Sequence, residues 1–126
     1  MAESNESEFR ESWVATNEFF THIVTNYDAS GQMRPMLDLI AKFVAAGYDT
    51  QFRAGQSLND LVISRAAKHG MDRDFPSINF FSRGNEVFDL RFWTETKQMI
   101  QYDFRLSEFE PTENECVYRL NSQPIQ

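Results

Sequence analysis

Apolar side chains recur at helical spacing from Phe9 onward. Phe9, Trp13, Phe20, Val24 and Tyr27 form one stripe that Phe19 and Ile23 widen, while Arg10, Glu11, Glu18 and Thr25 take the opposite side. Asp28-Ala29-Ser30-Gly31 is turn chemistry and should end this helix. A second helical stripe, Met33, Met36, Leu37, Ile40, Phe43 and Val44, starts around Pro35, whose missing N–H costs nothing in a first turn; Gly47 supplies the stop. After an irregular stretch from Tyr48 to Gln56, Ser57 with Asp60 three residues on reads as an N-cap. It opens a third helix that turns Leu58, Leu61, Val62 and Ala66 inward and closes with Arg65, Lys68 and His69 before Gly70.

From Pro76 the period becomes two. Ile78, Phe80 and Ser82, then Phe88, Leu90 and Phe92, then Ile100, Tyr102, Phe104 and Leu106 mark the inward faces of three half-buried strands. Arg83-Gly84-Asn85 separates the first two, and the expected register sets Phe80 opposite Phe88 and Ser82 opposite Glu86. For the next hairpin, face parity leaves two registers. One loops Thr94 to Thr96 and opposes Asp89 to Gln101; the other loops Glu95 to Lys97 and opposes Asp89 to Asp103. Like charges directly opposite repel, so the first is preferred. The acidic stretch Ser107 to Glu115 reads as a solvated connector to a last short strand, Cys116 to Leu120. The expected architecture is α+β, with three N-terminal helices packed on one face of a four-stranded antiparallel meander, αααββββ. Residues 1–7 are expected as an acidic tail, 8–122 as one domain and 123–126 as a C-terminal tail.

Composition adds a surface character. The 126 residues carry 12 Lys plus Arg against 19 Asp plus Glu, a net charge of −7, with 12 Phe and 2 Trp available for a core. The N-terminus is acidic where a signal peptide is basic and then apolar, and no apolar run is long enough for a membrane span, so the expectation is a cytoplasmic protein without a membrane partner. One cysteine, Cys116, leaves no internal disulfide and no redox pair, and alternation in the expected strand points it inward as a small hydrophobe.

Candidate chemistry is sparse. His22 lies four residues after Glu18 on one helix face, too few ligands for a defined metal site, and His69 fits a last helical turn. Asp72 and Asp74, and the acids of the connector, lack a rigid frame for acid–base work. No phosphate-cradling glycine motif occurs, and no cofactor is implied. Arg53, Gly55, Gln56 and Ser57, ahead of the expected third helix, are the place for a small anion at a helix N-terminus.

The stronger candidate is the outward sheet face, where alternation places Phe81, Arg91, Trp93 and Met99 together; such residues are richer than a solvated face needs, unless a terminal segment folds over them. Nine of the 12 bases are Arg, which favours planar hydrogen-bonded contacts. The expectation is a non-enzymatic, acidic protein-binding module, such as an inhibitor or neutraliser of the immunity or antitoxin kind facing a basic partner, or a self-associating one. The runner-up is a small-ligand site between helices and sheet. Nucleic-acid binding by the central Arg residues with Trp93 and Phe81 comes third, opposed by the net charge.

Overall fold

The computed structural model describes residues 2–67 and 76–125, with side chains from residue 5. Helix α1 (Ala2–Tyr27) starts inside the segment expected as a tail and buries Phe9, Trp13, Thr16 and Phe20 along one face. Tyr27 closes the sequence stripe but lies exposed at the helix end. The turn that follows is built by Asp28, whose carboxylate accepts from the Met33 N–H at 3.0 and 3.1 Å and from the Arg34 N–H at 3.1 Å. Those donors have no partner within the helix they precede, so Asp28 starts helix α2 (Pro35–Ala45) from seven residues upstream. Gly47, at φ +83°, ends the turn after α2.

The first correction falls at Ser57. The expected third helix is a β-hairpin, β1 (Arg53–Ser57) against β2 (Asp60–Ser64), with Ser57 opposite Asp60 and no helix for Ser57 to cap. Leu61-Val62-Ile63 is buried on both faces of the sheet, so it reads as an unbroken apolar run that period alone does not separate from a helix. The β-branched pair Val62-Ile63 favours the strand. Lys68, His69, Gly70, Asp72 and Asp74 lie outside the described residues.

Strands β3 (Ser77–Gly84), β4 (Val87–Trp93) and β5 (Met99–Arg105) complete a five-stranded antiparallel meander in the order β1-β2-β3-β4-β5. The sheet therefore has five strands rather than four. In the β3–β4 hairpin Phe80 opposes Leu90 and Ser82 opposes Phe88, two residues away from the expected register, with an irregularity between Ser82 and Gly84. The cause is the turn itself. Asn85 and Glu86 both take left-handed φ, +54° and +61°, as a two-residue hairpin loop requires, so the loop is tighter than Arg83-Gly84-Asn85. Face parity survives the shift, and Phe80 and Phe88 still point inward.

The second correction falls at the C-terminus, where Cys116 to Leu120 is not a strand but lies in helix α3 (Glu115–Asn121). Asn114 is its N-cap, its side chain accepting from the Val117 N–H at 3.0 Å. Cys116, Val117 and Leu120 then fall on one buried helical face. The acidic connector is also anchored: Phe109 is buried, its ring stacked 4.5 Å from Phe104, and its carbonyl accepts from Lys42 Nζ at 2.9 Å.

All three helices contribute to one core against the inward sheet face. At its centre the Phe43 ring lies 5.6 Å from Trp13, 5.6 Å from Phe80 and 5.7 Å from Phe109. Trp13 Nε1 donates to the Phe52 carbonyl at 2.8 Å, which satisfies the one polar atom of a buried indole. The architecture is α+β with the element order ααβββββα.

Candidate protein-binding face

Because the helices cover the inward sheet face, the outward face is formed by the alternate residues. Pairing of β3, β4 and β5 sets Ser77, Trp93 and Met99 in one row, Asn79, Arg91 and Gln101 in the next, and Phe81, Asp89 and Asp103 in the third. Phe81, Arg91, Trp93 and Met99 thus share one face, as alternation requires. Trp93 is 46% and Met99 45% exposed, and they stand directly opposite each other. Arg91 is exposed beside them, and Phe81 is half-buried two rows away. Neither described terminal element lies over this pair, since the apolar sides of α1 and α3 are spent on the core. Toward β2 the same face closes, with Val62, Ser64 and Ser77 buried.

The β4–β5 register is the one that opposes Asp89 to Asp103, not to Gln101. The loop is Glu95 to Lys97, with Lys97 in the left-handed region at φ +61° and the Thr94 N–H donating to the Gln98 carbonyl at 2.8 Å. The repulsion that argued against this pairing is compensated by its neighbours. Asp89 is only 1% exposed, yet it accepts from Arg91 Nε at 2.9 Å and from Gln101 Nε2 at 3.2 and 3.3 Å. Arg83 bridges the two acids, 3.6 Å from Asp89 and 3.2 Å from Asp103. A carboxylate among two guanidiniums and an amide is held more firmly than its opposition to one acid suggests. The network also anchors Arg91 on this face, in the row beside that of Trp93.

At the end of the same row Asn79 Nδ2 donates to Asp60 at 3.4 Å. Burial pushes the Asp60 carboxyl above its ordinary range, against the lowering effects of Asn79 and Arg91.

The anion candidate does not assemble. With the third helix gone, Arg53, Gly55, Gln56 and Ser57 lie along β1 rather than at a helix N-terminus. Arg53 donates to the carbonyls of Ala66 at 2.9 Å and Ala67 at 2.6 Å, pairs with Glu8 at 3.4 Å and sits over the Phe9 ring. It fastens the chain leaving β2 to α1. Gln56 and Ser57 are exposed at the far end of the strand. His22 shares a 3.0 Å contact with Asn26 and faces the Tyr27 ring. Among the described residues no three His, Cys, Asp or Glu side chains gather as metal ligands.

Two features are legible in the sequence only in part. One is a groove of about 580 Å³ between α3 and the inward side of β4–β5, lined by Phe92, Ile100, Tyr102, Cys116, Tyr118 and Arg119 among others. Here Tyr102 Oη accepts from Asn114 Nδ2 at 2.8 Å, and Arg119 holds Glu95 at 2.7 Å. Burial raises both the Tyr102 hydroxyl and the Cys116 thiol above their ordinary ranges. The groove could be foreseen only by reading Asn114 as a helix cap, because a strand at Cys116 to Leu120 leaves no such cleft.

The other is the convergence of exposed apolar residues. Of the ten large hydrophobics exposed among the described residues, Trp93, Met99, Ile100, Tyr102 and Tyr118 surround β5, while the rest are dispersed. These features define an α+β domain whose five-stranded meander is covered by helices on one face and keeps an aromatic and arginine-bearing patch on the other. Comparison with protein-family models, with curated proteins and with solved structures found no match to this chain. Among the described residues no helix is long and apolar enough to cross a membrane.

Proposed function

We propose that this protein is a non-enzymatic binding module that engages a protein partner through the outward face of β4 and β5. The carrying observation is the pair Trp93–Met99, directly opposed and half exposed beside an Arg91 that Asp89 holds in place. Aromatic, Met and Arg side chains are the types that bury well at protein interfaces, and a prepositioned Arg loses less freedom on binding. The net charge of −7 favours a basic partner through long-range steering, as for an inhibitor or neutraliser of the immunity or antitoxin kind.

The test is capture from the source lysate by the wild-type chain and by a variant with Arg91, Trp93 and Met99 all changed to Ala, each with and without nuclease. The reading requires one stoichiometric protein, retained after nuclease, weakened by salt and lost with the variant. A partner bound equally by both chains, or one released by nuclease, overturns it.

A second reading is favoured by the groove under α3, whose lining of Phe92, Ile100, Tyr102 and Tyr118 suits a small apolar or aromatic ligand. A ligand screen followed by Tyr118→Ala, which leaves the outward face untouched, separates the two readings.

A further inference from the structure

Strand β5 ends the sheet, and its pairing with β4 determines which of its backbone groups are occupied. The Thr94 N–H donates to Gln98 and the Leu106 N–H to Glu86, both at 2.8 Å. Hydrogen-bonded pairs alternate along an antiparallel ladder, so Ile100, Tyr102 and Phe104 bond to β4. Met99, Gln101, Asp103 and Arg105 therefore aim their N–H and C=O groups away from the sheet. The opposite edge is managed differently: Ser12 Oγ of α1 accepts from the Ala54 N–H of β1 at 2.9 Å. β5 has no proline, its pairing with β4 is regular over seven residues, and the exposed apolar cluster lies on both sides of it. A long, regular, partly apolar edge is a template for another strand.

We infer that the occupant of this edge is the β5 strand of a second copy of the chain, paired antiparallel about a two-fold axis at Tyr102. The register follows from charge and length. Centring the axis on Gln101 brings Arg105 opposite the partner copy's Lys97, and centring it on Asp103 opposes two carboxylates. Centring it on Phe104 runs the pairing into the turn at Leu106–Glu108. Only the Tyr102 axis uses all seven residues of β5 with no like charges directly opposed. It sets Met99 against Arg105, Gln101 against Asp103, Ile100 against Phe104 and Tyr102 against itself. The pairing makes one continuous ten-stranded sheet from two five-stranded ones and doubles the outward face. It goes beyond the partner-binding reading and does not depend on it.

The experiment is sedimentation equilibrium of the full chain over a wide concentration range, joined to amide hydrogen exchange. The expected mass rises to twice the 14.7 kDa of the chain, and the amides of Gln101 and Asp103, which point away from β4, become protected as the dimer forms. Asp103→Pro removes an outward N–H without touching the β4 ladder, and proline is tolerated at such an edge position. The expected result is a folded monomer with an unchanged far-ultraviolet spectrum. A wild-type chain that stays monomeric overturns the inference, as does a dimer in which those two amides exchange as fast as in a turn, or a dimer unaffected by Asp103→Pro. If the proline variant does not fold, the exchange measurement on the wild type decides alone. A monomer that still captures its partner through Arg91, Trp93 and Met99 sinks the edge pairing and leaves the binding face standing.

Discussion

Asp89→Ala tests the electrostatic frame of the outward face. The carboxylate is 1% exposed and accepts from Arg91 and Gln101, with Arg83 at 3.6 Å. Removing one member of a fully buried ion pair costs about 3–5 kcal/mol, because the other charge is stranded. Here the stranded groups are the side chains of Arg83 and Arg91, 46% and 48% exposed, so water rehydrates much of each guanidinium. The expected loss is therefore about 2 kcal/mol, lying between a buried pair and an exposed one. In a domain of this size that is a fall in Tm of about 6–10 °C. Asp89→Asn should lose about half as much, since it keeps one carbonyl acceptor but places an amide donor against a guanidinium. The assay is urea unfolding at neutral pH, read by Trp fluorescence. A change below about 0.5 kcal/mol for Asp89→Ala, the range of an ordinary surface substitution, refutes the claim that this network holds the face together.

Leu58 sits at the β1–β2 turn at φ +55° and is 89% exposed, so Leu58→Gly relieves backbone strain while sacrificing little burial; it should stabilise the fold by up to about 1 kcal/mol in a melt. The raised pKa of Asp60 means that the folded chain binds more protons than the unfolded one between the ordinary carboxylate value and the raised one. Stability contributed by this group falls as pH rises through that window, so Asp60→Asn should raise Tm at neutral pH and lose the advantage in acid below the ordinary value. Equal Tm differences at both pH values contradict that sign. Cys116, buried and raised by desolvation, should react with a neutral alkylating agent far more slowly than a free thiol at mildly alkaline pH, and at the free rate only in denaturant.

Legibility in the sequence followed the length of each periodic segment. The stripes of α1 and α2 and the alternation of β3, β4 and β5 extend over enough residues to reveal their period, and the placement of Phe81, Arg91, Trp93 and Met99 on one face came directly from alternation. The failures were the short segments. Leu61-Val62-Ile63 is buried on both faces, and Cys116 to Leu120 is too brief for its period to appear, so caps and turns decided them. Asn114 was the informative residue at the second. Register at both hairpins departs from the expectation because it is set by turn backbone and by side chains beyond the opposed pair: Asn85 and Glu86 in one case, Arg83, Arg91 and Gln101 in the other. Arg53 is polar enough to suggest an anion site, but that polarity is consumed inside the fold by two carbonyls and Glu8.

The proposed outward face is tested most directly by oxidative footprinting of the chain alone and in complex with a protein partner recovered by the capture experiment. Trp93 and Met99 should be oxidised readily in the free chain and protected in the complex, while Tyr27, exposed at the end of α1, reacts equally in both. Protection at Tyr27 with Trp93 and Met99 unchanged would contradict the assignment of the binding surface to β4 and β5.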